Sequence, residues 1–144
     1  MIYLDTSVVV SLYCPDGNSA RAAKLMQGIK DTLAITTLGE LEAVNAFGLR
    51  AFRKEMSPRQ TAVSLRNFEA DLRAGVLQMR ALPDSAFARA RTLSLLATPQ
   101  IGVRTADLLH LAAALELGIA VFYSFDLRQR TIAKRAGLRL NPAR

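Results

Sequence analysis

The chain has 144 residues, 51% of them apolar, so it is long enough and apolar enough to fold around a sizeable core. Its formal charge of +7, with 15 arginines among 19 basic residues, suggests a polyanionic or acidic partner, although basic residues on solvated helix faces would give the same sum. The single cysteine, Cys14, excludes an internal disulfide and a multi-cysteine zinc site. No apolar run reaches the roughly 18 residues of a membrane span, and the first residues lack the pattern of a signal peptide. We therefore expect one domain, residues 1–144, in a reducing cytoplasm.

Short apolar runs alternate with helical patterns along the chain. The opening run ends abruptly at Asp5, Thr6 and Ser7 and predicts a buried strand. Further strands are predicted at residues 33–35, 76–82, 119–123 and 138–140. Helices are predicted at about 8–13, 19–27, 38–54, 58–73, 84–97, 105–117 and 127–136. Residues 98–102, which include Pro99, are predicted to form a loop.

This alternation predicts the fold class. Strands that alternate with helices favour an α/β protein with a three-layer α/β/α sandwich, in which helices cover both faces of a mainly parallel sheet of about five strands. The opening strand is then expected at the centre of the sheet. Ligands of such folds bind at the carboxyl ends of the strands.

Four of the twelve acidic residues stand where a predicted strand ends or a predicted helix begins. Asp5 and Asp126 follow strands. Glu40 lies in the first turn of the third helix, and Asp107 lies in the first turn of the sixth. In a parallel sheet these positions meet at one edge, so the four carboxylates could converge. Taken singly, each is more simply a helix cap or a complement to the helix dipole.

The helix that follows Asp107 weakens the capping interpretation. Residues 108–115 are apolar on nearly every face apart from His110, which indicates a buried helix. A carboxylate entering such surroundings is costly unless it is paired or ligated, and clustered carboxylates repel one another unless a cation neutralises them. Mg²⁺ or Mn²⁺ suits an all-carboxylate site. Together with a basic surface that binds phosphates, such a site is what a metal-dependent nuclease requires.

Four short motifs, in this order, resemble those of the PIN-domain ribonucleases, and in particular the VapC-type toxins of bacterial toxin–antitoxin pairs. They are residues 2–7 (IYLDTS), 37–41 (TLGEL), 104–112 (RTADLLHLA) and 122–126 (FYSFD). The closing segment, residues 133–142, extends the resemblance to the full chain. It implies a PIN fold and a Mg²⁺- or Mn²⁺-dependent endoribonuclease that cuts structured RNA, often transfer RNA. It also implies a homodimer and a VapB-like antitoxin that neutralises the enzyme.

The resemblance also implies roles for particular residues. Asp5 and Asp107 are expected to bind the metal, and Asp126 and Glu40 to complete the acidic pocket directly or through water. Glu42 competes with Glu40, because the helix is apolar on too many faces for periodicity to decide, and the family pattern favours Glu40. Hydroxyls that orient ligands and water are implied at Thr6, Ser7, Thr105 and Ser124.

The remaining functional candidates are weaker. His110 is interpreted as a packed, hydrogen-bonding residue near the site, and with one histidine and one cysteine no Ser-His or Cys-His hydrolase system is indicated. Of two basic clusters, the one after Asp126 is favoured for RNA contact through Arg128, Arg130 and Lys134, against the alternative of a solvated helix face. The apolar residues of the helices between positions 38 and 73 could serve the core, homodimer packing or antitoxin docking.

Two other function classes remain open from the residues alone. The chain could be a non-catalytic module that binds nucleic acid or protein through a PIN fold. It could also be a metal-dependent DNA nuclease or phosphohydrolase that uses the same carboxylates. Carboxylates and arginines do not by themselves select substrates with a 2′-hydroxyl, so the assignment to RNA depends on the resemblance.

Overall fold

Five short strands form one parallel sheet in the computed structural model, which describes residues 1–142. The strands are β1 (Ile2–Leu4), β2 (Leu33–Thr36), β3 (Leu77–Arg80), β4 (Val121–Tyr123) and β5 (Arg139–Leu140). Their order across the sheet is β3-β2-β1-β4-β5, and each neighbouring pair is parallel. The predicted parallel sheet, with the opening strand at its centre, is confirmed. The carboxyl ends of all five strands therefore lie at one edge.

Helices cover both faces of this sheet. In the described part of the chain they are α1 (Thr6–Tyr13), α2 (Ser19–Met26), α3 (Thr37–Phe52), α4 (Pro58–Arg73), α5 (Ser85–Ile101), α6 (Thr105–Glu116) and α7 (Leu127–Arg135). One apolar core includes Ile2 and Leu4 of β1 with residues of α1, α3 and α4, and the other includes Tyr3 with residues of α5, α6 and α7. Successive side chains of a strand point to opposite faces, so β1 contributes to both cores. The predicted three-layer architecture is thus confirmed.

Helix boundaries follow local capping chemistry. α1 begins at Thr6, two residues earlier than predicted, because the Asp5 carboxylate accepts a hydrogen bond from the Ser7 N–H over 3.0 Å and caps the helix. α4 begins as predicted, with a capping box between Ser57 and Gln60 around the proline at its first position. Both caps give a hydrogen-bond partner to a backbone N–H of the first helical turn.

The predicted loop at residues 98–102 is wrong, because α5 continues through Pro99 to Ile101. A proline removes one intrahelical hydrogen bond, but one missing bond in the last turn does not end a helix whose buried Ala97 packs in the core. The helix ends at Gly102, which adopts the left-handed conformation (φ 69°) and donates its N–H to the Thr98 carbonyl over 2.8 Å. Glycine, not proline, is the stop signal here.

Among the helices that carry a candidate site residue, α6 is the most deeply buried. All residues from Leu108 to Ala114 are buried, as the apolar sequence predicted, and they include His110. Gly39 of α3 faces the His110 ring, since a Cβ built on Gly39 would lie 3.6 Å from His110 Cε1, in ordinary van der Waals contact. Across residues 1–142, no helix is long and apolar enough to span a membrane.

Candidate active site

A cavity of about 530 Å³ lies at the carboxyl edge of the sheet. Five carboxylates from separate parts of the chain line it, together with Arg50 and Arg104. The five acidic residues are Asp5, Asp16, Glu42, Asp107 and Asp126. A larger cavity, about 650 Å³, lies at the opposite edge, but its only acidic lining residue is Asp31. Of these two cavities, the one at the carboxyl edge therefore contains most of the acidic side chains.

Asp5 is the most firmly held of these carboxylates. It follows β1, is only 4% exposed, and accepts hydrogen bonds on Oδ2 from the Ser7 N–H over 3.0 Å and from Ser7 Oγ over 2.6 Å. The Ser124 hydroxyl lies 3.2 Å from the same oxygen, and Gln129 Nε2 donates to Oδ1 over 3.0 Å. The Ser7 and Gln129 donors hold this carboxylate in one orientation, and His110 Nε2 lies 3.9 Å from Oδ1.

Glu42 reaches the site from α3 through a buried polar network. Its Oε2 accepts from Thr6 Oγ1 over 2.6 Å and from His110 Nε2 over 2.5 Å. On the other side of the ring, His110 Nδ1 hydrogen-bonds the Tyr3 hydroxyl over 2.8 Å, and that hydroxyl lies 3.0 Å from Thr36 Oγ1. The network links β1, β2, α3 and α6 directly behind the cavity.

The network sets the charge of both ionisable partners. Burial favours neutral histidine, but the bond to Glu42 and the nearby Asp5 and Asp107 charges outweigh it and raise the pKa of His110. Burial likewise acts to raise the pKa of Glu42, but the hydrogen bonds from His110 and Thr6 outweigh it and leave that pKa below its ordinary value. The pair therefore favours a protonated imidazole beside an ionised carboxylate.

Glu40, the acid that the sequence analysis favoured on α3, is not among the residues that line the cavity. It is half-buried in the first turn of the helix, near its N-terminal end. Glu42 lies two residues further along α3, so its side chain leaves the helix on a different face. On that face it contacts Thr6 and His110. The geometry therefore favours Glu42 as the α3 carboxylate of the site.

Asp107 is held differently from Asp5. Both of its carboxylate oxygens face the Arg104 guanidinium, at 2.9 Å from Nε and 3.3 Å from Nη2. Burial raises the pKa of Asp107 above its ordinary value, as do the charges of Asp5 and Asp126, while Arg104 opposes the shift. The side chain of Arg104 is 77% exposed, so this ion pair lies at the rim of the cavity.

Asp126 follows β4 and caps α7. Its Oδ1 accepts from the Gln129 N–H over 2.8 Å, and its own N–H donates to Ser124 Oγ over 3.0 Å. Asp5 and Asp126 thus act as helix caps, as the simpler interpretation held, and also line the cavity. Capping a helix and lining the cavity are compatible here, because a carboxylate has more lone pairs than one capping bond uses.

The four hydroxyl residues implied by the resemblance divide into two groups. Thr6, Ser7 and Ser124 contact the candidate acids: Thr6 binds Glu42, and the two serines contact Asp5. Thr105 is exposed at the start of α6 and lines a separate cavity of about 270 Å³ beside α5. The structure therefore places three of the four around the carboxylates.

The basic residues favoured for RNA contact do not line the cavity. Arg130 is half-buried and donates to the Ser124 carbonyl and to Asn141, which ties α7 to the segment after β5. Arg128 donates to the Gly102 carbonyl, and Lys134 is exposed further along the helix. The two arginines at the cavity are Arg50, paired with Asp16 over 3.0 Å, and Arg104.

The donor set fits a hard divalent cation held in an open site. Carboxylate oxygens are the ligands that Mg²⁺ and Mn²⁺ prefer, and a cation would offset both the burial and the neighbouring Asp5 and Asp126 charges that raise the pKa of Asp107. Within residues 1–142, however, no group of three or more His, Cys, Asp or Glu side chains is arranged closely enough to hold a metal ion. Mg²⁺ commonly binds one or two carboxylates and completes its shell with water and substrate phosphate. The site fits that mode and not an enclosed ion.

Comparison with protein families decides the assignment of the fold. The family model of the PIN domain matches residues 2–135. The chain belongs to the PIN-domain family. No protein of curated function matches the sequence of this PIN domain. The family predicted from the four motifs is confirmed.

Several solved structures share the fold of this PIN domain. VapC20 of Mycobacterium tuberculosis, described as a toxin that cleaves the sarcin–ricin loop, has a TM-score of 0.69 and 17% identity, covering 91% of this chain and 94% of that one. FitAcB of Neisseria gonorrhoeae has a TM-score of 0.72 and 16% identity over 99% and 97% of the two chains. VapBC2 of Rickettsia felis, bound to a DNA fragment from its promoter, has a TM-score of 0.66 and 20% identity over 98% of each chain. This PIN domain thus has the fold of VapC-type toxins.

Sequence reasoning missed two residues of this PIN domain that contact the candidate acids. The motif that contains Arg104 assigns it no role, although its position three residues before Asp107 is a favourable spacing for an ion pair. Gln129 belongs to none of the four motifs. Gln129 shares the buried face of α7 with Ile132 and Ala133. A polar residue at helical spacing from buried apolar residues is the sequence pattern that would have indicated it.

Proposed function

We propose that this PIN domain is a Mg²⁺- or Mn²⁺-dependent endoribonuclease toxin of the VapC type, neutralised by a cognate antitoxin. The observation that carries the proposal is the cavity at the carboxyl edge, where Asp5 and Asp126, which cap α1 and α7, meet Glu42 of α3 and Asp107 of α6. Their convergence in a cavity that Arg50 and Arg104 also line, on a chain of net charge +7, supports hydrolysis of a polyanion.

The four carboxylates have different roles in this proposal. Asp5 and Asp107 would hold the ion, with Asp126 and Glu42 completing the acidic pocket directly or through water. When bound, the ion would polarise a phosphate oxygen and lower the pKa of bound water. Glu42, kept ionised by His110 and Thr6, is placed to accept a hydrogen bond from a water molecule in the cavity. The arginines at the rim would contact phosphates of the substrate.

RNA and an antitoxin are proposed as partners on separate grounds. VapC20, described as a toxin that cleaves the sarcin–ricin loop, supports a structured RNA substrate. Transfer RNA is the substrate that the family resemblance implies. Complexes such as VapBC2 and FitAB, both bound to DNA fragments, support a VapB-like antitoxin. Large apolar side chains exposed on α3 and α5, including Phe52, Leu95 and Leu96, support a homodimer, an antitoxin contact, or both. A cytoplasmic location follows from this function.

RNA cleavage by the purified full chain tests the proposal. We expect cleavage of structured RNA in Mg²⁺ or Mn²⁺, none with a chelator, and recovery when the ion is restored. Asp107→Asn, which keeps the size of the side chain and removes its charge, should abolish cleavage without unfolding the protein. Arg66→Gln on α4, far in sequence from the site, serves as the matched control for a single charge change.

Each outcome separates the competing functions. Full cleavage by Asp107→Asn, or in the presence of chelator, would contradict the proposal. Cleavage of DNA or phosphomonoesters with none of RNA would favour a DNA nuclease or phosphohydrolase that uses the same acids. RNA or protein binding without divalent-ion binding would favour a non-catalytic module.

A further inference from the structure

Gln129 is a completely buried polar residue beneath the acidic cavity. It lies on α7, and its exposed fraction is 0%. Its Nε2 donates to Asp5 Oδ1 over 3.0 Å and to the Asp107 carbonyl over 3.2 Å, and its Oε1 accepts from Ser124 Oγ over 2.6 Å. A buried amide is costly unless its groups are satisfied, and here the partners come from β1, α6 and the end of β4.

The surrounding acceptors determine which way the amide of Gln129 points. The carboxylate oxygen of Asp5 and the backbone oxygen of Asp107 carry no hydrogen, so the group between them must be the NH₂. The amide oxygen then faces Ser124, whose single hydroxyl proton is donated to it. Reversing the amide would set an oxygen against two oxygens. The orientation is therefore fixed by chemistry as well as by packing.

This amide is the partner that fixes the second oxygen of Asp5. Ser7 holds Oδ2 through its N–H and its hydroxyl, but two bonds to one oxygen leave the carboxylate free to tilt about that point. The bond from Gln129 to Oδ1 removes this freedom. The backbone N–H of Gln129 also binds Asp126 Oδ1 over 2.8 Å, so one residue contacts two of the candidate acids and the backbone of a third, Asp107.

We propose that Gln129 is a positioning residue that sets the orientation of the Asp5 carboxylate toward a bound Mg²⁺ or Mn²⁺. This inference rests on the nuclease function proposed above and deepens it, since it assigns the support of the central ligand to a residue outside the four motifs. Groups that hold a ligand in place commonly affect metal affinity nearly as much as the ligands do.

Binding of Mn²⁺ to the full chain, measured by isothermal titration calorimetry, tests the proposal without reference to activity. Gln129→Met keeps the length and burial of the side chain and removes both the donors and the acceptor. We expect its Mn²⁺ dissociation constant to rise about 10-fold or more, the range found when outer partners of metal ligands are replaced. The matched control is Ile132→Val, a core change on the same helix, which should leave that constant unchanged although it removes a buried methyl group.

The outcomes distinguish this inference from the function on which it rests. If the unaltered protein binds no Mn²⁺, the proposed function fails and this inference falls with it. If the unaltered protein and Gln129→Met bind Mn²⁺ equally, or if Ile132→Val weakens binding as much, the inference alone is overturned. Gln129→Leu is measured if Gln129→Met does not fold. Failure of both to fold, with Ile132→Val folded, also overturns the inference, because the amide would then serve the fold of α7 as a whole.

Discussion

The two sides of the acidic cavity hold their carboxylates by opposite means. On the β1 side, Asp5 is 4% exposed and bound by neutral donors from Ser7 and Gln129. On the α6 side, Asp107 is bound by one charged side chain, Arg104, which is 77% exposed. Neutral buried donors fix a carboxylate in place, whereas an exposed arginine can leave it for solvent or for another anion.

This difference separates a fixed half of the site from an adjustable half. The fixed half consists of the acids reached by the buried networks: Asp5 through Ser7 and Gln129, and Glu42 through Thr6 and His110. The adjustable half is the Asp107–Arg104 pair at the rim. A substrate phosphate could replace Asp107 as the ion-pair partner of Arg104, and the fixed half offers no such exchange. The two halves should therefore respond differently to substitution.

The largest contrast is expected between Asp5→Asn and Asp107→Asn. Both should lower RNA cleavage about 100-fold or more, since loss of a ligand should cost at least as much as loss of its outer partner. Only Asp5→Asn should also lower the free energy of unfolding, by about 1–3 kcal/mol, because its new NH₂ group faces buried donors. Asp107→Asn removes a rim ion pair worth about 0–1 kcal/mol. Cleavage assays and urea unfolding measure the two effects.

Equal losses of stability in the two variants would contradict the division into fixed and adjustable halves. Glu69→Gln on α4 is the control for a simple change of charge, since its ion pair with Arg73 is exposed on both sides. Its unfolding and cleavage should match those of the unaltered protein. Any loss of stability in Asp5→Asn beyond that control then belongs to the buried donors around this carboxylate.

A second contrast lies within α3, between Glu42→Gln and Glu40→Gln. Glu42 lines the cavity and binds Thr6 and His110, so we expect its amide variant to cleave RNA about 10–100-fold more slowly. Glu40→Gln, two residues away on the same helix, should cleave at the unaltered rate. Initial rates at saturating metal ion measure the difference. A larger loss in Glu40→Gln would support the family pattern over the geometry.

The sequence predicted the fold well because local sequence patterns indicate where most of its strands and helices begin and end. Apolar runs that end in polar residues located all five strands, and capping residues with glycine stops located most helices. The error at Pro99 arose where two local signals compete. A proline near the end of a helix resembles a stop, but the buried Ala97 and the left-handed Gly102 decide the boundary.

The site was harder to predict, because its support comes from residues distant in the chain. Asp5, Asp107 and Asp126 could be proposed from their positions at strand ends and helix starts. Which of Glu40 and Glu42 faces the cavity depends on how α3 is oriented about its own axis. The packing of α3 against α6 determines that orientation. The partnership of Gln129 with Asp5 spans 124 positions, and no local pattern contains it.

A smaller effect, on stability as a function of pH, should identify the network in the fixed half. His110→Gln removes the imidazole that binds Glu42 and Tyr3, and we expect a loss of about 1–3 kcal/mol in the free energy of unfolding near pH 6. The raised pKa of His110 gives stability that is complete below its ordinary value near 6.5 and is lost as pH rises through the folded pKa. Urea unfolding at a series of pH values measures this.

The sign of the pH dependence is the critical feature of this experiment. The lowered pKa of Glu42 gives stability that is present above its ordinary value near 4.5 and is lost as pH falls through the folded pKa. The difference between the unaltered protein and His110→Gln should therefore be largest between about pH 4.5 and 6.5. A difference that grows above pH 7 would show that His110 is neutral in the folded protein.

The smallest expected change concerns the adjustable half. Arg104→Ala removes an exposed partner, so the free energy of unfolding should change by no more than about 0.5 kcal/mol. Asp107 then loses its competing cation, and we expect Mn²⁺ to bind more tightly to the variant while the KM for RNA rises through the loss of a phosphate contact. Opposite shifts in these two constants would be specific to a side chain that alternates between Asp107 and substrate. Weaker binding of both Mn²⁺ and RNA would instead make Arg104 a fixed support of Asp107, and the cavity would then have no adjustable half.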